Sequence, residues 1–207
     1  DHLQNFKIEV SKDSKKWKLC TYFRSTLESC KKGCQMFYCP SGLRGRYVRI
    51  QLQHRDLLYL SLCEVAVFRP SSNHFIKDDC NDNVRDTSQY LDNTSMYNVI
   101  WSHYVVELNN LALDKVATQS SIDQNISTKA AAAIDGNVDG DVEHLSCIQT
   151  RSERKPWWMV DLLSQYAIGS VAVFNRQCRG LKNCGKDPLR VEGGSYLLCM
   201  IVLQRVK

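Results

Sequence analysis

At 207 residues, with 43% hydrophobic side chains and a net charge of +5, the chain has the composition of a globular protein with a real core, which excludes a disordered segment. Its basic residues are spread along it (Lys15, Lys16 and Lys18, then Lys31 and Lys32, then Arg44, Arg46 and Arg49), as on a solvated face and unlike the clustered footprint of a nucleic-acid binder. Ten cysteines without one Cys-x-x-Cys pair argue against a zinc site and for disulfides formed in an oxidising compartment.

Residues 1–10 alternate with period two, Phe6, Ile8 and Val10 on one side and Lys7 and Glu9 on the other, which predicts a half-buried strand. A Ser/Lys/Asp turn follows, and Trp17 to Tyr22 predicts a second short strand. Cys20, Cys30, Cys34 and Cys39 then crowd a segment whose centre, Lys31-Lys-Gly33, reads as an exposed loop. Gly45 to Leu52 is the cleanest strand, with Val48, Ile50 and Leu52 inward and Arg49 and Gln51 outward, and Leu58 to Phe68 reads as another.

From Pro70 to about Asp92 the composition shifts to Ser, Asn and Asp, so a boundary is expected there, and residues 96–106 turn apolar again as one extra strand. Beyond Asn110 short strands alternate with turn signals at Asp135-Gly136, Asp139-Gly140 and Gly169-Ser170. Lys129 to Ile134 is Ala-rich but marginal in length for a helix. The expected class is all-β, a sandwich or jelly roll. The apolar run Tyr196 to Leu203 is too short to span a bilayer and reads as a buried strand or a tail foreign to the fold.

Two acceptor triplets, Asn93-Thr-Ser95 and Asn125-Ile-Ser127, agree with secretion. The chain does not begin with Met and shows no signal peptide, so a mature product or a fragment of a longer secreted, extracellular protein is expected. The five histidines, His2, His54, His74, His103 and His144, are scattered. No His-Glu-x-x-His, Gly-x-Ser-x-Gly or phosphate-binding Gly-rich loop is present, which argues against an enzyme.

Two blocks of sequence resemble the F-type lectins, fucose-binding jelly rolls related in fold to discoidin domains. Asn110-Leu-Ala-Leu113, Ala117-Thr-Gln-Ser-Ser121, Ala133-Ile-Asp-Gly-Asn137, Ser146-Cys147, Pro156-Trp-Trp158, Val160-Asp-Leu162 and Asn175-Arg176 are similar to that family's amino-terminal half. Leu3 to Val10, Trp17 to Cys20, Cys39-Pro40, Gly45-Arg-Tyr-Val48 and Leu60 to Val65 are similar to its carboxy-terminal half.

The order is therefore reversed: a carboxy-terminal half at 1–69, a linker at 70–108, an amino-terminal half at 109–184 and a divergent tail at 185–207. Either the chain holds the end of one domain and the start of the next in a tandem array, or both halves form one circularly permuted discoidin-like jelly-roll β-sandwich. The second is favoured for a chain that folds alone, because a half-sandwich would expose its apolar face and strand edges.

The resemblance implies disulfides Cys63 to Cys147 and Cys20 to Cys39. It also implies a structural Ca2+ held by the Ala132 carbonyl, Asp135, Asn137, Ser146, Cys147 and Glu64, an all-oxygen set of the kind that hard cations take. The plainer reading of Asp135-Gly-Asn137 is a tight turn. For the sugar, the family pattern is a His, then an Arg, an Asp and a further basic residue. Here Arg176 is intact, Gln149 stands at the His spacing, and Cys178 occupies the Asp position. Asn183 takes the last basic position, with Arg179 and Lys182 nearby.

Arg176 alone could equally be a surface residue at a strand end. Of Trp157 and Trp158, adjacent in a strand and so facing opposite ways, at least one belongs to the core. The function implied is a calcium-stabilised lectin module for fucosylated glycans or glycoproteins, its sugar binding weakened or lost. The alternative is a protein- or membrane-interaction domain on the same scaffold. No nucleic-acid partner is expected and a membrane surface is not favoured; an oligomer or a tandem array fits the resemblance.

Overall fold

The computed structural model of the chain describes residues 3–26, 34–70, 109–126, 128–140 and 144–176. The expected linker at 71–108, the strand at 96–106 and the tail from 185 lie outside them, as do Arg179 and Lys182. The first segment supplies β1 (Gln4–Ser11), β2 (Trp17–Thr26), β3 (Cys34–Tyr38), β4 (Arg44–Leu52), β5 (Ser61–Leu62) and β6 (Glu64–Phe68). The second supplies β7 (Val116–Gln119), β8 (Ile148–Gln149), β9 (Trp157–Ala167) and β10 (Ser170–Phe174), with a 3-10 turn at Ala130–Ala133.

These strands form antiparallel sheets, each built from strands of both segments. The larger sheet runs β2-β1-β4-β9-β7, the smaller β3-β10-β6, and β5 pairs with β8. The larger sheet therefore crosses from one segment to the other at β4–β9, and β10 lies between two strands of the first segment. The architecture is the expected all-β, discoidin-like β-sandwich.

Period-two patterning decides which side chains face inward. The register sets Ile8 opposite Ile50 and Ile50 opposite Trp158, and Val10 opposite Val48 and Val48 opposite Val160. These rows are buried and pack with Val65, Val67, Val171 and Val173 of the smaller sheet. Phe6, Phe23 and Phe37 close one flank, with ring centroids 5.3 to 5.6 Å apart. The offset and edge-on contacts of such rings add to their area burial.

β6 and β10 are buried along their whole length. Their second face, Ala66, Phe68, Ala172 and Phe174, packs with Cys63, Cys147, Met36 and Val138. Cys63 is bonded to Cys147 and Cys20 to Cys39. The first bond joins the two segments.

Several boundaries differ from expectation. Leu58 to Phe68 is not one strand: Leu58 makes an isolated bridge to Glu153, β5 pairs with β8, and β6 pairs with β10, because the chain changes partner at the Cys63 bend. Trp17 to Tyr22 extends to Thr26, held by pairing of Gln4 with Thr26 across β1. The cysteine-crowded segment contains β3, whose partner β10 is remote in sequence. Gly45 has a packing reason, since a Cβ there would come within 2.4 Å of Val10 Cγ1 and 2.6 Å of the Ser11 carbonyl oxygen.

Candidate functional site

Glu64 opens β6 and is fully buried. Neither of its carboxylate oxygens has a hydrogen-bond partner. Burial pushes its pKa up to about 9, and the negative charges of Asp135 and, less, Asp114 add to the rise. The N–H groups of Gly136 and Asp135 lie close enough to pull the other way, yet neither makes a hydrogen bond of normal geometry to the carboxylate. A buried carboxyl without donors must take up a proton or a cation.

The loop that brings Asp135 close is built locally. The 3-10 turn ends at Ile134, whose carbonyl accepts the N–H of Asp114, and Gly136 turns the chain at a φ of 79°. Asp135 Oδ1 accepts the Asn137 N–H at 2.8 Å, and Asn137 Oδ1 accepts the Asp139 N–H at 3.1 Å. Ser146 is buried, its hydroxyl donating to the Asp139 carbonyl at 2.5 Å. The Cys147 carbonyl accepts from the Thr128 hydroxyl at 2.6 Å. His144 pairs with Asp139 at 2.6 Å in the same exposed loop.

Among the described residues no group of three or more His, Cys, Asp or Glu side chains could hold a metal. An oxygen site leans instead on carbonyls, an amide and a hydroxyl with two carboxylates. The orphaned Glu64 carboxylate beside the Asp135 turn fits a hard cation of that kind.

A second polar cluster lies at one end of the larger sheet. Arg176, just after β10, donates from Nη1 to Gln149 Oε1 at 3.1 Å. Its Nε is buried without a partner, an unmet donor. Gln149 is fixed through its backbone: its carbonyl accepts the Asp123 N–H at 3.0 Å and the Gln119 amide at 3.3 Å. The two residues are remote in sequence, and the β5–β8 pairing with β10 alongside brings them together.

Around them Ser120 and Ser121 donate to Glu153 Oε1, the second at 2.8 Å, and Arg151 donates from Nε to the Ile122 carbonyl at 3.1 Å. The sequence carried Ser120 and Ser121 only as part of a family-like block. Their convergence on Glu153 needs the tertiary fold, because no local spacing joins them. Trp158 is fully buried and donates to the Ala130 carbonyl at 2.9 Å, so it is a core residue, while Trp157 is half-buried.

Residues 132–192 match the family described as NedA-like, galactose-binding domain. The chain is 40% identical over 101 residues to Fucolectin-1 of Anguilla japonica, covering 47% of this chain and 51% of the relative. It is 43% identical over 99 residues to Fucolectin-4 of the same eel, covering 46% and 49%, and 39% identical over 82 residues to Fucolectin of Anguilla anguilla, covering 38% and 52%. The chain thus spans about half the length of these curated relatives. No solved structure matches significantly. Among the described residues no helix is long and apolar enough to cross a membrane. The fold is that of a discoidin-like β-sandwich, and parts of the sequence are similar to a galactose-binding domain family and to eel fucolectins.

Proposed function

We propose that this protein is an extracellular carbohydrate-binding module for fucosylated glycans, with the polar cluster at Gln149 and Arg176 as its sugar site. The observation that carries the reading is the Arg176 to Gln149 hydrogen bond beside the unpartnered Arg176 Nε. A guanidinium and an amide held together offer several donors and an acceptor to adjacent hydroxyls of one sugar. The similarity to proteins named fucolectins supports fucose as the sugar class. Two disulfides support secretion. The role is binding, without catalysis.

The companion proposal is a structural calcium ion held by Glu64, Asp135, Asn137, Ser146 and the carbonyls of Ala132 and Cys147. A bound calcium ion supplies positive charge to a buried carboxylate and cross-links the β6 end to the Asp135 loop. We also read residues 1–69 and 109–184 as two halves of one roll in reversed order, which the presence of strands from both segments in every sheet supports.

Glycan-array binding of the full chain tests the lectin reading. Fucose-dependent signal is expected, lost in Arg176→Ala and reduced by a calcium chelator. No fucose-dependent signal from folded protein would sink it and leave a protein-interaction domain on this scaffold.

A further inference from the structure

The turn joining β1 to β2 is the most basic short stretch in the described structure, and the sugar site does not use it. Lys12, Lys15, Lys16 and Lys18 are all exposed, four cations within seven residues of sequence. None of the four is in an ion pair with a described carboxylate, in contrast to Lys7, Arg46 and Arg49 on the same sheet. The one acid in the turn is engaged in holding its shape: Asp13 Oδ1 accepts the N–H groups of Lys15 and Lys16, each at 2.9 Å, and the Ser11 hydroxyl at 3.1 Å. Ser11 also donates to the Lys16 carbonyl at 2.7 Å.

The ammonium groups are thus displayed on a turn whose backbone is fixed in advance, which lowers the ordering cost of binding. Ser11 pairs with Tyr47, and the β4 backbone at Gly45 presses against the Ser11 carbonyl, so exposed Arg44 flanks the turn. This edge is the end of the larger sheet away from the Gln149–Arg176 cluster. That cluster adjoins the Leu52 end of β4, where Leu52 bonds to Pro156 and Ser120 to Trp157.

We propose that the Lys12–Lys18 turn, with Arg44, is a second binding site, for an extended sulfated polysaccharide. Lysines are compact, rotatable point charges suited to a row of sulfates along a flexible polyanion. Nucleic acid is disfavoured by the aromatic beside the turn: one face of the Trp17 ring is already taken by the Arg49 guanidinium at 4.0 Å, and residues 12–16 add no aromatic on which bases could stack. An anionic bilayer is disfavoured because residues 12–16 carry no apolar side chain to enter it. Two disulfides place the chain where sulfated polysaccharides are the prevalent soluble polyanion.

The test is calorimetric titration of the full chain with a size-defined heparin oligosaccharide across a salt series. The variant Lys12→Gln/Lys15→Gln/Lys16→Gln/Lys18→Gln is expected to bind about tenfold or more weakly and with a shallower salt dependence. Arg44→Gln alone is expected to weaken binding a few-fold. A control with the same charge removed elsewhere, Arg55→Gln/Lys129→Gln/Arg154→Gln/Lys155→Gln, is expected to stay within about twofold of the parent. All these side chains are on the surface, and matched melting temperatures establish that each variant is folded.

Equal losses in the two quadruple variants would reduce the effect to net charge and overturn the site. So would undiminished binding of desulfated heparin, or equally tight binding of single-stranded DNA or phosphatidylserine vesicles. Absence of heparin binding by the parent chain would also overturn it.

Discussion

Glu64 is buried with two unpartnered oxygens, so its energetic balance depends on what neutralises it. If calcium does, adding the ion raises the melting temperature of the parent chain and chelator lowers it. Glu64→Gln removes most of that response while leaving the chelated protein no less stable, because the neutral amide no longer needs a counter-ion. Differential scanning fluorimetry with and without chelator reads both. Asp161 behaves oppositely: its bidentate hydrogen bonds from Arg46, at 2.6 and 2.7 Å, hold its carboxyl below the ordinary aspartate value of 3.8. Its stabilisation is present above that value and is lost as pH falls through the lowered one. Asp161→Asn therefore lowers stability near neutrality, changes little at the acid end where the carboxyl is already protonated, and so flattens the acid side of the stability profile, measurable by urea unfolding from pH 2 to 7. Trp158→Phe leaves the Ala130 carbonyl without its indole donor, an expected loss of about 1–3 kcal/mol in the same assay.

Among the elements, β4 meets β1 and β9 at once, and Gly45 is where that contact is tightest. Gly45→Ala forces a methyl into Val10 and the Ser11 backbone, an expected cost of about 1–3 kcal/mol. Gly42 is the contrast, with a φ of 78° and nothing within 4 Å of an added Cβ, so Gly42→Ala costs only backbone strain of about 1 kcal/mol. Equilibrium denaturation of the pair separates crowding from strain. The sequence announced β1 and β4 because one buried face imposes clean alternation, as in Val48, Ile50 and Leu52. It hid β3, since the residues around Cys34 show no period of their own and become a strand only through pairing with β10. Arg176 and Gln149 were each legible as polar residues in family-like positions. Their hydrogen bond was not, because it depends on two sheets meeting. Arg179 and Lys182 lie outside the described residues.

For the molecule as a whole, the Cys63–Cys147 bond ties the two segments across a separation of 84 residues, against 19 for Cys20–Cys39. Loop-closure entropy makes the long tie worth about 4–5 kcal/mol and the short one about 3. The double variant Cys63→Ala/Cys147→Ala is therefore expected to lose more stability than Cys20→Ala/Cys39→Ala. A reversed ranking in guanidinium unfolding would show that the segments hold together through strand pairing and core packing alone.

The placing of β10 between β3 and β6 has a consequence for biosynthesis. When the first segment leaves the ribosome, β3 and β6 have no strand to lie between them, and the inner faces of β1 and β4 lack Val171 and Val173 of the strand that will help cover them. Nearly all of the described chain must be translated before its central partner exists. Up to that moment the nascent first segment presents Ile8, Ile50 and the Phe6–Phe37 flank as a greasy surface, a natural client for a chaperone.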